Sequence, residues 1–252
     1  MSDNLRSRIR SKERLIGGWV TANSSLVTEA VASCGFDWVA IDMEHGISSL
    51  SDAISSIAVC ERYGVEAFIR LPSADPFLAR RLVDGGAKGL LVPVVEDAEL
   101  LSGFTQHLRY PPSGRRGTAV VRANLWGDRF DDQIPSFQPA IIAMIETTQG
   151  VDVAQNVAAL EDVDALFIGP YDLSASLGTP GNFATQEFDS AMKAISDAAE
   201  QNNIALGYHQ VATDTSELQR LFQDGFSFVA YGLDLHTMRE AMKGFKTLRT
   251  DK

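Results

Sequence analysis

The chain of 252 residues carries 33 Asp and Glu against 22 Lys and Arg, which gives a formal net charge of −11 at pH 7 and a sequence pI near 4.8. This acidic balance argues against a surface for nucleic acid or an anionic membrane, although a few inward arginines can still hold an anionic substrate. The two cysteines lie in apolar helical settings, and no apolar run reaches the length of a bilayer, so we expect a cytoplasmic protein without disulfides.

The chain repeats one unit, in which an amphipathic helix is followed by glycine and then by a short apolar strand. In one such unit an apolar helical stripe runs from Val27 to Cys34, Gly35 ends the helix, and Trp38 begins the strand. Eight alternating strands in a chain of this length predict an α/β protein with one domain, a (β/α)8 TIM barrel over residues 1–252. A doubly wound open sheet is the alternative, but no Gly-rich dinucleotide motif follows the first strand. The candidate strands are 17–20, 38–41, 67–69, 89–92, 141–145, 165–168, 204–207 and 228–230.

Polar side chains follow several of these strands, and in this fold the C-terminal ends of all strands share one mouth. The second strand leads into Asp42, Glu44 and His45. If Asp42 holds one imidazole nitrogen of His45, the pair is a general base; the alternative is that the carboxylates cap the next helix. Arg70 ends the third strand, where it can hold a carboxylate or enolate, or pair with a neighbouring acid.

Two further carboxylates are candidate metal ligands. Glu146 ends the fifth strand and Asp172 follows the sixth. Two carboxylates completed by water suit a hard divalent ion such as Mg²⁺ or Mn²⁺, whereas each residue alone can equally be a helix N-terminal acid. The long segment 110–135 is rich in Gly, Pro and Arg, and connections of this length are usually functional.

Several motifs occur in order along nearly the whole chain: IDMEHG at 41–46, RLP at 70–72, LVDGGA at 82–87, YPP at 110–112 with RG at 116–117, IET at 145–147 and IGPYDLS at 168–174. Together they resemble those of the HpcH/HpaI aldolases. This family is typified by 2,4-dihydroxyhept-2-ene-1,7-dioate aldolase and 2-keto-3-deoxy sugar acid aldolases. Two departures concern substrate identity: Tyr171 stands where some members have a small residue, and Met144 where some have Gln.

The resemblance implies a class II aldolase that joins or cleaves a pyruvate or hydroxypyruvate enolate and an aldehyde. It implies metal ligation by Glu146 and Asp172 with Mg²⁺, Mn²⁺ or Co²⁺, and a homo-oligomer, commonly a hexamer built as a trimer of dimers, with the C-terminal helix exchanged between subunits. It also implies a base formed by His45 with Asp42, donor binding by Arg70, and contributions from Asp84 and Trp19. At the seventh strand end, we expect Tyr208 or His209 to contact the aldehyde, although His209 can also be a satisfied strand-end histidine. The expected substrate contacts are Trp19, Arg70, Gly169, Pro170, Tyr171, Tyr208 and His209.

Other functions remain open from the residues alone. A lyase of citrate-lyase type acting on a CoA thioester would need a basic flank, for which the chain offers Arg115, Arg116 and Arg122. A barrel that binds metabolites without catalysis is the third alternative. Schiff-base chemistry is disfavoured, because Lys88, the one lysine near a strand, precedes the fourth strand and so lies at the wrong face of the barrel.

Overall fold

Eight parallel strands close into a barrel in the order of the chain, with the last strand paired to the first. The computed structural model describes residues 5–133 and 138–248. All eight expected strands are present, which confirms the barrel and excludes the open doubly wound sheet. The strands are β1 (Leu15–Val20), β2 (Trp38–Asp42), β3 (Glu66–Arg70), β4 (Gly89–Val92), β5 (Ala140–Ile145), β6 (Ala165–Ile168), β7 (Ala205–Gln210) and β8 (Phe228–Tyr231).

Helices follow the strands and form the outer ring of the barrel. Local capping explains several starts: Ser49 and Asp52 form a capping box at α3, and the side chains of Asp75 and Asp97 accept backbone N–H groups at α4 and α5. Within the described ranges, no helix is long and apolar enough to cross a membrane. The helices are α1 (Leu5–Arg10), α2 (Ser25–Ala32), α3 (Leu50–Arg62), α4 (Pro76–Asp84), α5 (Ala98–Gln106), α6 (Phe130–Gln133), α7 (Thr148–Ala158), α8 (Pro170–Ser176), α9 (Gln186–Gln201), α10 (Thr215–Gln223) and α11 (Asp234–Met242), with 3-10 turns at Arg122–Gly127 and Lys243–Leu248.

Aromatic rings fill the inside of the barrel, and glycines on adjacent strands make room for them. Trp38 stacks on Phe228 with ring centroids 4.1 Å apart. A Cβ added at Gly17 would lie 2.2 Å from the Trp38 ring, and one at Gly89 would lie 2.0 Å from Phe68, so only glycine fits. The N-terminal helix α1 adds its buried residues to this inner cluster and closes the bottom of the barrel, at the N-terminal ends of the strands.

The C-terminal helix α11 buries none of its side chains. Leu235, Met238 and Met242 on its apolar stripe are roughly half to two-thirds exposed. An open apolar groove of about 760 Å³ lies beside it, between α2 and the start of α11. Among the residues that the structure describes, the barrel of the same chain therefore leaves this stripe uncovered.

Candidate active site

The buried Asp42 carboxylate at the end of β2 is the centre of a hydrogen-bond network at the mouth of the barrel. One oxygen accepts the Trp19 Nε1–H at 3.1 Å, and the other accepts Arg70 Nε–H at 3.0 Å and the backbone N–H groups of Glu44 and His45 at 2.9 and 3.1 Å. A second Arg70 nitrogen, Nη2, donates to the Trp19-bound oxygen. Although burial alone would raise it, the hydrogen bonds and charge of Arg70 hold the pKa of Asp42 below its usual value.

This network corrects the expected contact between Asp42 and the imidazole of His45. Both carboxylate oxygens are already occupied by Arg70, Trp19 and backbone amides, and no hydrogen bond to the His45 ring exists in the described parts of the chain. Asp42 fixes the backbone of His45 instead, while the His45 side chain is exposed at the mouth. Asp42 does not cap the next helix either, because α3 begins at Leu50 with Ser49 as its N-cap, whereas Asp42 binds the turn before it.

Arg70 pairs with neighbouring acids, which is one of the two roles considered for it. Its Nη1 lies 3.1 Å from Glu44 Oε2, an ion pair that lacks hydrogen-bond geometry, and its guanidinium carbon lies 5.1 Å from the centre of the Trp19 ring. Asp42 and Arg70 are paired in the register of β2 and β3, which places the two side chains side by side. The guanidinium is therefore fixed in orientation before any substrate arrives.

Glu146 has one oxygen bound and one oxygen free in a buried position. Oε1 accepts the backbone N–H of Val94 at 2.7 Å, whereas Oε2 has no hydrogen-bond partner among the described residues. Burial, and then the nearby charges of Glu44 and Asp172, raise the pKa of Glu146 to about 7. A Cβ added at Gly169 would lie 2.5 Å from Oε2, so the glycine leaves this oxygen its space.

The carboxylates around Glu146 fit a divalent cation. The buried Oε2 of Glu146 lies near the acids Glu44 and Asp172 and has no hydrogen-bond donor among the described residues, so a cation would supply the missing partner. Glu146 Oε2 and the exposed Asp172 in the first turn of α8 would be its ligands. No cluster of three or more His, Cys, Asp or Glu suited to a metal occurs in the parts that the structure describes. Water and substrate oxygens would have to complete the coordination, which suits Mg²⁺ or Mn²⁺ better than zinc.

The structure adds Glu44 to the site, a residue to which the sequence assigned no role. Its side chain pairs with Arg70 and is close enough to Glu146 and Asp172 to interact with their charges, and burial, opposed by the charge of Arg70, raises its pKa. Its place between Asp42 and His45 was the only signal in the sequence. Val94 was also missed, because the backbone N–H that it contributes leaves no trace in residue type.

The end of β7 separates its two candidate residues. His209 faces inward and stacks on Trp19 with centroids 4.2 Å apart, and burial lowers its pKa to about 4. Tyr208 faces the outer layer, where its ring packs edge-on against Phe226 at 5.5 Å. Successive strand residues point to opposite faces, so only His209 reaches the mouth, and the expected contact of Tyr208 with the substrate is not supported by its position.

Of the other expected site residues, three lie at the mouth and one does not. Gly169 and Pro170 are buried where β6 leads into α8, and Tyr171 is half exposed with its ring edge-on to Phe183 at 5.2 Å. Asp84 ends α4, which runs antiparallel to the strands, so it lies at the opposite end of its own barrel. There it accepts a hydrogen bond of 2.6 Å from Arg116, and within one chain it does not join the site.

The fold and the site define a (β/α)8-barrel enzyme whose mouth combines an anchored arginine with acidic metal-ligand candidates. Residues 15–241 match the family described as HpcH/HpaI aldolase/citrate lyase. This chain belongs to the HpcH/HpaI aldolase/citrate lyase family.

Similar proteins agree with this assignment. The chain is 34% identical to a hydroxypyruvate/pyruvate aldolase of Paraburkholderia phytofirmans, over 95% of this chain and 94% of the relative. It is 32% identical to a 5-keto-4-deoxy-D-glucarate aldolase of Escherichia coli, over 95% and 93% of the two chains. The solved structure of an HpcH/HpaI aldolase/citrate lyase family protein from Burkholderia cenocepacia superposes with a TM-score of 0.89 at 32% identity, covering 98% of this chain and 99% of the other.

Proposed function

We propose that this protein is a class II aldolase that makes or breaks the C–C bond between a pyruvate or hydroxypyruvate enolate and an aldehyde. Family membership and the aldolase names of relatives at 30–34% identity support a carbon–carbon lyase. The observation that carries the proposal is the buried Glu146 Oε2 near the anchored Arg70, an oxygen with no hydrogen-bond partner among the residues described. The chemistry needs a cation beside an inward arginine, where negative charge develops on the enolate.

Glu146 and Asp172 would hold the divalent ion, for which Mg²⁺, Mn²⁺ and Co²⁺ are the candidates. When bound, such an ion supplies Lewis-acid stabilisation for the enolate charge. Arg70 binds and orients the 2-oxoacid donor, because Asp42 and Trp19 hold its guanidinium in place. A group that is already oriented loses little further freedom when the substrate binds.

His45 is the proposed base. In the cleavage direction it removes the proton from the hydroxyl group two carbons from the ketone, after which the bond between the enolate and the aldehyde breaks. Its exposed side chain at the mouth can approach a bound substrate. The hydrogen bond from the His45 backbone N–H to Asp42 holds the backbone from which this side chain extends. His209 stays in the proposed substrate contacts with Trp19, Gly169, Pro170 and Tyr171, whereas Tyr208 does not.

The alternative of a CoA-thioester lyase loses much of its support in the structure. Of the three arginines proposed for the nucleotide, Arg116 pairs with Asp84, and Arg122 pairs with Glu61 and donates to the Gly85 carbonyl. These guanidinium groups already have partners within the chain. Titration with CoA in a calorimeter tests this alternative directly, and we expect no heat of binding.

We also propose a homo-oligomer in which α11 is exchanged between subunits, with a hexamer as the expected form. An apolar helix stripe without cover, next to an open apolar groove, supports this arrangement. Asp84 lies far from the mouth of its own barrel, and such an assembly would let Asp84 contribute to the site of a neighbouring subunit instead. Both Cys34 and Cys60 are free thiols, which supports a reducing, cytoplasmic location as part of the proposal.

The experiment that tests the proposed activity combines a substrate panel with metal removal. Pyruvate and hydroxypyruvate are each incubated with a panel of aldehydes, before and after exhaustive chelation with EDTA. We expect turnover that EDTA abolishes and that Mg²⁺, Mn²⁺ or Co²⁺ restores, with no adduct trapped by borohydride and pyruvate. Full activity after chelation, or a reduced pyruvyl-lysine adduct in the mass spectrum, would contradict the proposal.

A further inference from the structure

Val94, which follows β4, has a backbone conformation that valine rarely adopts. Its φ is +49°, in the left-handed region, where a β-branched side chain is strained. The side chain is half exposed at the mouth, so the strain is not explained by packing of the valine in a core. Strained residues persist where the surrounding contacts determine them, and they concentrate at functional sites.

Two consecutive backbone N–H groups make the hydrogen bonds that hold this conformation. The N–H of Val94 donates to Glu146 Oε1 at 2.7 Å, and the N–H of Val95 donates to the Met144 carbonyl at 3.2 Å. A left-handed residue brings successive N–H groups toward the same side of the chain. The left-handed turn at Val94 therefore lets both amides reach the end of β5.

This anchoring makes the two oxygens of Glu146 different. Oε1 is bound by Val94, whereas Oε2 lies in the space beside Gly169 and has no hydrogen-bond partner in the described parts of the chain. We propose that Val94 is a positioning residue. Its strained backbone fixes Glu146 Oε1, so that Oε2 is the oxygen of this carboxylate that is available to the divalent cation. This inference rests on the proposed function, in which Glu146 is a metal ligand.

The test removes the Val94 N–H and measures metal binding, not turnover. Replacing Val94 by its α-hydroxy acid analogue exchanges the N–H for an ester oxygen and keeps the side chain. Mn²⁺ affinity of the metal-free protein is then measured by calorimetry, with valine introduced by the same route as the matched control. We expect the ester to weaken Mn²⁺ binding by about 10- to 100-fold, the usual effect of losing a group that holds a metal ligand.

Two substitutions separate the role of the amide from that of the side chain. Val94→Gly keeps the N–H and adopts positive φ without strain, so we expect its Mn²⁺ affinity to stay within about threefold of the wild type. Val94→Pro removes the donor and cannot adopt positive φ, so it should resemble the ester. If Val94→Pro fails to fold, as judged by circular dichroism, the ester variant decides.

The outcomes distinguish this inference from the proposed function. If the wild type binds Mn²⁺, Glu146→Ala does not, and the ester binds as well as its control, then the metal site stands and the role of Val94 is wrong. If the wild type does not bind Mn²⁺, or Glu146→Ala binds as well as the wild type, then the proposed metal site fails, and the role of Val94 fails with it.

Discussion

The Arg70 guanidinium donates two hydrogen bonds to the Asp42 carboxylate on the adjacent strand, and both side chains are almost completely buried. An ion pair in this position orients the arginine, but it makes each partner depend on the other. Removing the Asp42 charge leaves the buried Arg70 with Glu44 as its remaining ion-pair partner. This dependence has a measurable effect on stability.

Asp42→Asn should lower the free energy of unfolding at pH 7 by about 3 kcal/mol, because breaking a buried ion pair leaves the other charge uncompensated. The pKa of Asp42 is lowered in the folded protein, so the contribution of the pair is complete above the unfolded value of 3.8 and is lost as the pH falls through the folded pKa. Urea unfolding of both proteins from pH 7 down to pH 3 measures this difference. Asp152→Asn, on the exposed face of α7, is the control and should change stability by no more than about 0.5 kcal/mol. A difference that does not shrink in acid would contradict the ionised pair.

His45→Asn should reduce turnover by about 10²- to 10⁴-fold, the contribution of a positioned acid–base group. Its exposed side chain makes no packing contribution to the core, so the melting temperature and Mn²⁺ affinity should be unchanged. Steady-state kinetics with pyruvate and the best aldehyde of the panel provide the measurement. His107→Asn is the control, since His107 follows α5 and is not part of the proposed site. Near-native turnover of His45→Asn would remove this residue from the mechanism.

His209→Phe should make the protein relatively more stable in acid. The pKa of His209 falls from 6.5 to about 4 on folding, so between these values the unfolded chain binds a proton that the folded chain does not. The stability of the wild type therefore decreases, relative to the variant, as the pH falls below 6.5, by about 2 kcal/mol at pH 5. Phenylalanine keeps a ring against Trp19. Urea unfolding at pH 7.5 and pH 5 is compared, and an equal difference at both values would show that His209 is not held neutral.

Met238→Asp should reduce the oligomeric state, because it places a charge on the apolar stripe of α11 that lines the groove. Light scattering coupled to size-exclusion chromatography measures the mass of each species. Leu100→Asp is a matched control, since Leu100 is a largely exposed apolar residue on another helix, α5. Loss of assembly in both variants, or in neither, would argue against α11 as the interface.

The strands, the family and the reaction class were predictable from the sequence, because buried parallel strands appear as apolar runs and the motifs stand at their ends. The partner of Asp42 was not predictable. Arg70 is 28 positions away along the chain, and only the register of β2 and β3 brings the two side chains together. The sequence therefore suggested the nearby His45, which binds through its backbone instead.

The sequence also could not predict which face of β7 points into the barrel. Both faces of this strand are buried, so no alternation of polar and apolar residues marks which face is inward, and Tyr208 and His209 were equally good candidates. The left-handed backbone of Val94 has no sequence signal either, since valine normally indicates an extended conformation.

The paired rings and glycines inside the barrel determine where enzyme engineering can succeed. Because Trp38, Phe68 and Phe228 pack against one another in the interior, the mouth has a solid floor, and truncating any of these rings to deepen it would cost stability. Longer aldehydes must be accommodated outward, among rim residues such as the exposed Ile47 and Tyr171. Directed-evolution libraries for new acceptors should vary these rim positions and leave the floor unchanged.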